Sequence, residues 1–225
     1  MTTATGEPDR DTSGFVLAGG RSSRMGTDKA WVIFQGRPLI EHAAGILSEA
    51  GLPVSIAGAR DDAAARLVSC APVIPDAESG LGPLGGICAA LASCASDFAV
   101  FLPVDAPLLP PSLVVYLLRH ARITESAVTL ASLNGFPQTF PAVIARRALP
   151  ALQKELHNRR LGCLHGLRAA ARELGHELAI VPAEVLVQSG QVSHPNALPV
   201  LRWFLNINAE PDLRLASSLR LPRVI

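Results

Sequence analysis

The residues of this chain best equipped for chemistry gather early: Gly19-Gly20, then Arg21, Arg24 and Lys29. Paired glycines let backbone N–H groups approach a ligand that a Cβ would hold away. Exposed amides followed by several fixed positive charges suit an anion carrying more than one phosphate. The loop is therefore expected to hold a nucleoside triphosphate. Its spacing is not that of a P-loop, because five residues separate Gly20 from Gly26 and Thr27 stands where a lysine is required. Nor does Gly19-Gly20-Arg21 supply the Gly-x-Gly-x-x-Gly of a dinucleotide fold.

The second chemical feature is Asp105, which directly follows the apolar run Phe98–Val104. A buried strand ending in a carboxylate places that carboxylate on the edge where open α/β sheets bind ligands, and makes it the best available partner for a divalent cation. The next helix is expected from Pro110-Pro111, too far on for Asp105 to cap it. Asp76 ends a shorter run, 72–75, on the same edge. Gly82-Pro83-Leu84-Gly85-Gly86 opens another helix, whose N-terminus would favour a bound anion, although such a string also serves as plain loop-to-helix punctuation. Asn206 and Asn208 alternate along what reads as a last short strand, so one of them faces the ligand edge. Asn208 has a competing use as the cap of a helix over 210–219.

These residues need a scaffold, and the pattern supplies one. Phe15–Ala18 is an apolar run cut off by the glycines, as a buried strand would be. Further strands are expected over 54–57, 72–75, 98–104, 127–131, 142–145 and 178–181, the fourth finishing near Leu102 because a central strand excludes Pro103. Helices are expected over 38–50, 61–68, 82–94, 110–121, 148–156 and 164–174. This alternation predicts one α/β domain with a mostly parallel, Rossmann-like sheet covered by helices on both faces. Residues 1–13 are expected as a disordered tail before a domain spanning 14–225. The stretch 183–202 has no clean period and reads as a surface insertion.

Composition narrows the function. The 225 residues are 49% hydrophobic with a net charge of +1, so no global field draws nucleic acid or an anionic membrane. No apolar run approaches the ~18 residues of a spanning helix, and the polar N-terminus lacks a signal-peptide core, which predicts a cytoplasmic protein. Cys70, Cys88, Cys94 and Cys163 form no Cys-x-x-Cys pair and read as core thiols rather than metal ligands.

Taken together, the string Leu17-Ala-Gly-Gly-x-Ser-x-Arg-Met-Gly-x-Asp-Lys29 resembles the signature of nucleotidyltransferases, most closely the molybdenum cofactor guanylyltransferases. Gly82–Gly86, Pro103-Val-Asp-Ala-Pro107 and Asn206-Ile-Asn-Ala-Glu-Pro-Asp-Leu213 extend the similarity. The resemblance implies a nucleotide-diphospho-sugar-transferase-like fold and transfer of GMP from GTP to molybdopterin, with magnesium as cofactor and pyrophosphate released. It implies nucleotide contacts from Leu17, Ala18, Gly19, Gly20, Lys29, Asp76, Gly82, Pro83, Leu84 and Asp105. Arg24, Lys29 and Asp105 would be catalytic, and Asp105 with Asn208 would hold the metal. Implied partners are GTP, molybdopterin and other molybdenum-cofactor proteins, for a monomer or weak homo-oligomer. An asparagine that the family carries after the second strand is replaced here by Ala57-Gly58-Ala59, and Val104 and Ala106 flank Asp105 atypically. The alternatives are a sister transferase using CTP or another phosphorylated acceptor, and a non-catalytic nucleotide-binding module. The double glycine favours the guanylyl branch, and joint retention of Lys29, Asp76, Asp105 and Asn208 disfavours the module.

Overall fold

Strand β1 (Thr12–Leu17) is buried at every position but Ser13, as a central strand packed on both faces must be. The computed structural model describes residues 12–18, 28–59, 71–75 and 80–219. Thr12 and Ser13, expected in the tail, thus belong to the first strand. Both hydroxyls have partners: the Arg122 guanidinium donates to Thr12 Oγ1 at 2.7 Å, and Ser13 shares a 2.7 Å bond with Ser96.

A 3-10 turn (Lys29–Trp31) precedes the hairpin β2 (Ile33–Phe34) and β3 (Arg37–Pro38), then come α1 (Leu39–Glu49), β4 (Val54–Ala59) and β5 (Val73–Pro75). Next are α2 (Gly82–Ser93), β6 (Phe98–Pro103), α3 (Pro111–Thr124), β7 (Val128–Leu133) and β8 (Phe136–Ala145). The chain closes with α4 (Leu149–His157), α5 (Cys163–Glu173), β9 (Ala179–Pro182), α6 (Ala183–Gln188), α7 (Val200–Trp203) and α8 (Glu210–Ser218). The helix expected over 61–68 lies outside the described residues.

The main sheet has seven strands in the order β5-β4-β1-β6-β8-β7-β9, and only β8 runs against the rest. The mostly parallel expectation holds. Alternate residues feed two cores: Val16, Val100 and Leu102 face α1 and α3, while Phe15, Leu17, Ala99 and Phe101 face α2, α4 and α5. Phe15 and Phe101 stack across the β1–β6 pair with centroids 5.3 Å apart. That pairing runs one residue beyond the expected end at Leu102, with Pro103 opposite Leu17.

Three expectations are corrected. β8 begins at Phe136, six residues before the expected 142, because Asn134 (φ 51°) and Gly135 (φ 78°) form a two-residue hairpin turn joining it to β7. Residues 183–202 are not a surface insertion: Leu186 and Val192 enter the same core as α1 and α3, Leu198 and Val200 pack against it, and Trp203 just beyond is buried there too. Residues 205–208 form no strand; a single bond from Ile207 N to Asp105 O, at 2.8 Å, ties them to the end of β6.

A third, small cluster does the positioning. Val32 and Phe34 follow Lys29, Leu108 follows Asp105, Ile207 precedes Asn208, and Leu39 and Ala216 complete the contacts. Each candidate side chain is thus hung beside a residue that is pulled out of water. Burying one such aliphatic side chain contributes about 1.5–3 kcal/mol.

Two substitutions test this account. Trp203→Ala, at a site 1% exposed whose indole N–H donates to Leu198 O at 2.8 Å, should lower unfolding free energy by about 3–5 kcal/mol in a denaturant titration. A change within about 0.5 kcal/mol would restore the surface-insertion reading. Ile207→Ala, fully buried, should cost about 2–5 kcal/mol in the same titration.

Candidate functional site

The parallel strands β5, β4, β1 and β6 all point their C-terminal ends at one edge, and the site residues collect there. Leu17 and Pro103 are paired, so Ala18 and Val104 leave the sheet side by side. The 3-10 turn that brings the chain back is held by Asp28, whose Oδ1 accepts from Ala30 N at 3.1 Å. This turn presents Lys29 to the edge.

There Lys29 Nζ donates to Asp105 Oδ2 at 2.7 Å and to Asn208 Oδ1 at 2.6 Å. An ammonium has three hydrogens, so one remains to be offered elsewhere. The Lys29 and Asp105 side chains are 17% and 21% exposed, and an ion pair so shielded is screened less by salt than one at an open surface.

Asn208 reaches Lys29 because its backbone is fixed on both sides. Ile207 is tied to Asp105 O, and Asp212 Oδ2 accepts from the N–H groups of Asn208 and Ala209, each at 2.9 Å. Asp212, not Asn208, therefore supplies the N-terminal cap of α8. Asp212 was not among the residues singled out from sequence, although Ala209-Glu-Pro-Asp, with proline in the first helical turn and an acid at its third position, carries the signal. Of the two asparagines it is Asn208 whose side chain meets the other site residues.

Helix α2 approaches the same edge from the other face. A Cβ on Gly86 would come within 3.3 Å of both Gly58 Cα and Leu17 Cδ2, so this helix lies as near β1 and β4 as glycine permits. Gly58 itself has φ of 75°, a backbone conformation that favours glycine. Gly82 and Pro83 are exposed at the start of α2, which has no side-chain cap, while the Leu84 side chain is fully buried. Only backbone can therefore serve from Leu84, and Pro83 has no N–H to give. The Ala18 N–H is already engaged by Ala57 O at 2.9 Å, which leaves its carbonyl. Gly19, Gly20, Arg24 and Asp76 lie outside the described residues.

Two of the thiols are ill-suited to nucleophilic attack. Burial pushes the Cys88 thiol up to about 12, and burial followed by the nearness of Cys88 does the same for Cys163. Both stay protonated at neutral pH and are poor nucleophiles. Among the described residues no group of three or more His, Cys, Asp or Glu side chains could hold a metal ion. A cation at this edge would rest on one carboxylate and one amide oxygen and take its other ligands from substrate and water. Magnesium-type sites are commonly built that way, and a hard divalent ion suits an all-oxygen donor set. Also among the described residues, no helix is long and apolar enough to cross a membrane.

Comparison with known proteins identifies the family. The family model for the MobA-like NTP transferase domain matches residues 14–178, a stretch that includes Lys29 and Asp105 but stops short of Asn208. A molybdenum cofactor guanylyltransferase of Xanthomonas euvesicatoria is 43% identical over 111 residues, which cover 48% of this chain and about half, 54%, of that protein. A probable molybdenum cofactor guanylyltransferase of Haloferax mediterranei is 30% identical over 217 residues, covering 94% of this chain and 96% of the relative. The crystal structure of molybdopterin-guanine dinucleotide biosynthesis protein A from Archaeoglobus fulgidus superposes with a TM-score of 0.73 at 23% identity, covering 92% of this chain and 97% of that one, and so shares its fold. With a family match over most of its length and a relative aligned almost end to end, the chain belongs to the MobA-like NTP transferase domain family and is a nucleotidyltransferase.

Proposed function

We propose that this protein transfers GMP from GTP to molybdopterin with release of pyrophosphate, using a magnesium ion held by Asp105 and Asn208. The observation that carries the reading is the meeting of Lys29, Asp105 and Asn208 over the ends of β1 and β6. The relatives' names supply the donor and the acceptor.

In this reaction an acceptor oxygen attacks the α-phosphorus, one P–O bond forms, and the bond to the bridging oxygen of the β-phosphate breaks. Such a step asks for alignment and charge neutralisation rather than a nucleophile from the protein. A bound divalent ion supplies Lewis-acid neutralisation of the phosphate charge. Asp105 and Asn208 would hold that ion, and Lys29 would direct its ammonium group to a phosphate oxygen. Arg24 would add a forked contact to the same phosphates. Gly19 and Gly20 would offer backbone amides, Leu17 and Ala18 backbone carbonyls for the base, and Asp76 a carboxylate to the nucleotide. The amides of Gly82 and Leu84 sit in the first turn of α2, where unpaired N–H groups and the helix dipole favour an anion, and Pro83 would pack against it.

Purified protein given molybdopterin, magnesium and each labelled triphosphate in turn should release pyrophosphate with GTP. Turnover with CTP alone would reassign the donor. Asp105→Ala should lower turnover by roughly 10²–10³-fold, as loss of a principal electrostatic group does, while thermal unfolding stays near that of the parent. Full activity in that variant would remove Asp105 from the mechanism.

A further inference from the structure

The ammonium of Lys29 stands between the two oxygens assigned above to the metal, 2.7 Å from Asp105 Oδ2 and 2.6 Å from Asn208 Oδ1. Those are hydrogen-bond distances. A magnesium ion would draw the same oxygens to about 2.0–2.1 Å. Two cations cannot share that position: Asn208 has a single side-chain oxygen to give, and like charges repel through a partly water-excluded space.

We infer that Lys29 is an internal cation that occupies the metal position in the nucleotide-free protein and gives it up when phosphate arrives. The proposal rests on the reading of Asp105 and Asn208 as the ion's oxygens. Three features support an exchange rather than a permanent salt bridge. The backbone of Lys29 is fixed by the Asp28-capped turn and by Val32 and Phe34 just after it, so only the side chain need move. Its four-carbon stem is flexible, unlike the planar fork of an arginine. Its alternative partner is a phosphate oxygen, which accepts a charge-assisted bond at least as well as a carboxylate does.

The exchange couples the two ligands. Metal alone must evict an ammonium that has nowhere better to go. A polyphosphate draws Lys29 away and exposes Asp105 and Asn208 to the ion. By linkage the metal in turn strengthens nucleotide binding by the same factor, and couplings of this kind typically amount to about 5–150-fold. The site would then ignore free divalent ions until a nucleotide is present.

Manganese supplies the measurement, because its free ion is counted directly by electron paramagnetic resonance. The protein, Lys29→Met, Lys29→Gln and the double variant Lys29→Met with Asp105→Asn would be titrated with Mn²⁺ alone and again with a GTP analogue blocked between the α- and β-phosphates. Glutamine keeps a hydrogen-bond donor without charge, so a folded variant remains if methionine disturbs the edge, and thermal unfolding checks both. The expected result is that either single Lys29 variant binds Mn²⁺ alone about 5–150-fold more tightly than the parent, with the gain erased in the double variant. Equal affinity of the parent and both single variants for Mn²⁺ alone, with Asp105 still required when the analogue is bound, would overturn the exchange and leave the metal assignment standing. Binding that ignores Asp105 under all conditions would overturn both.

Discussion

One ammonium group, that of Lys29, joins two oxygens that the chain delivers from positions 76 and 179 residues away in sequence. Closing such loops costs conformational entropy that grows as about (3/2)RT ln n, and desolvation offsets much of what a partly shielded ion pair returns. The polar contacts cannot have assembled the edge unaided. What assembles it is the small apolar cluster in which Val32, Leu108 and Ile207, each a neighbour of a polar site residue, leave water together. Hydrophobic burial sets the distances, and Lys29, Asp105 and Asn208 meet as a consequence. The parallel pairing of β1 with β6 adds the other requirement, since it brings two strand ends and the loops after them to one edge.

The parts of this arrangement that were legible in the sequence are those written in local patterns. Phe98–Val104 is apolar throughout and runs straight into Asp105, so both the strand and the exposed carboxylate at its end follow from burial and side-chain period alone. The break at Gly19-Gly20 marks the end of β1 in the same way. What stayed hidden depends on contacts between distant segments. The part of β8 before residue 142 contains Pro137 and Pro141, which mask a strand whose start is set by the Asn134-Gly135 turn. Residues 183–203 give the core single residues, Leu186, Val192 and Trp203, with no repeat to betray them. The choice between Asn206 and Asn208 was beyond period-2 reasoning because no ladder forms there; it is settled by one backbone bond to Asp105 and by the reach of Asp212.

The family match and the site overlap only in part. Lys29 and Asp105 fall within residues 14–178, whereas Ile207, Asn208 and Asp212 come from beyond them. The last stretch closes the site with a carboxylate that holds two backbone N–H groups and with the buried Ile207. The close approach of Gly86 to Gly58 shows similar economy, since the absence of two side chains lets α2 sit directly against the strand ends.

The late position of Ile207 and Asn208 also bears on how the protein is made. A polypeptide emerging from the ribosome carries the residues of β1, β6 and their flanking helices while the stretch with Ile207 and the amide oxygen is still to come. Synthesis of this protein therefore supplies the site's third polar side chain long after the first two.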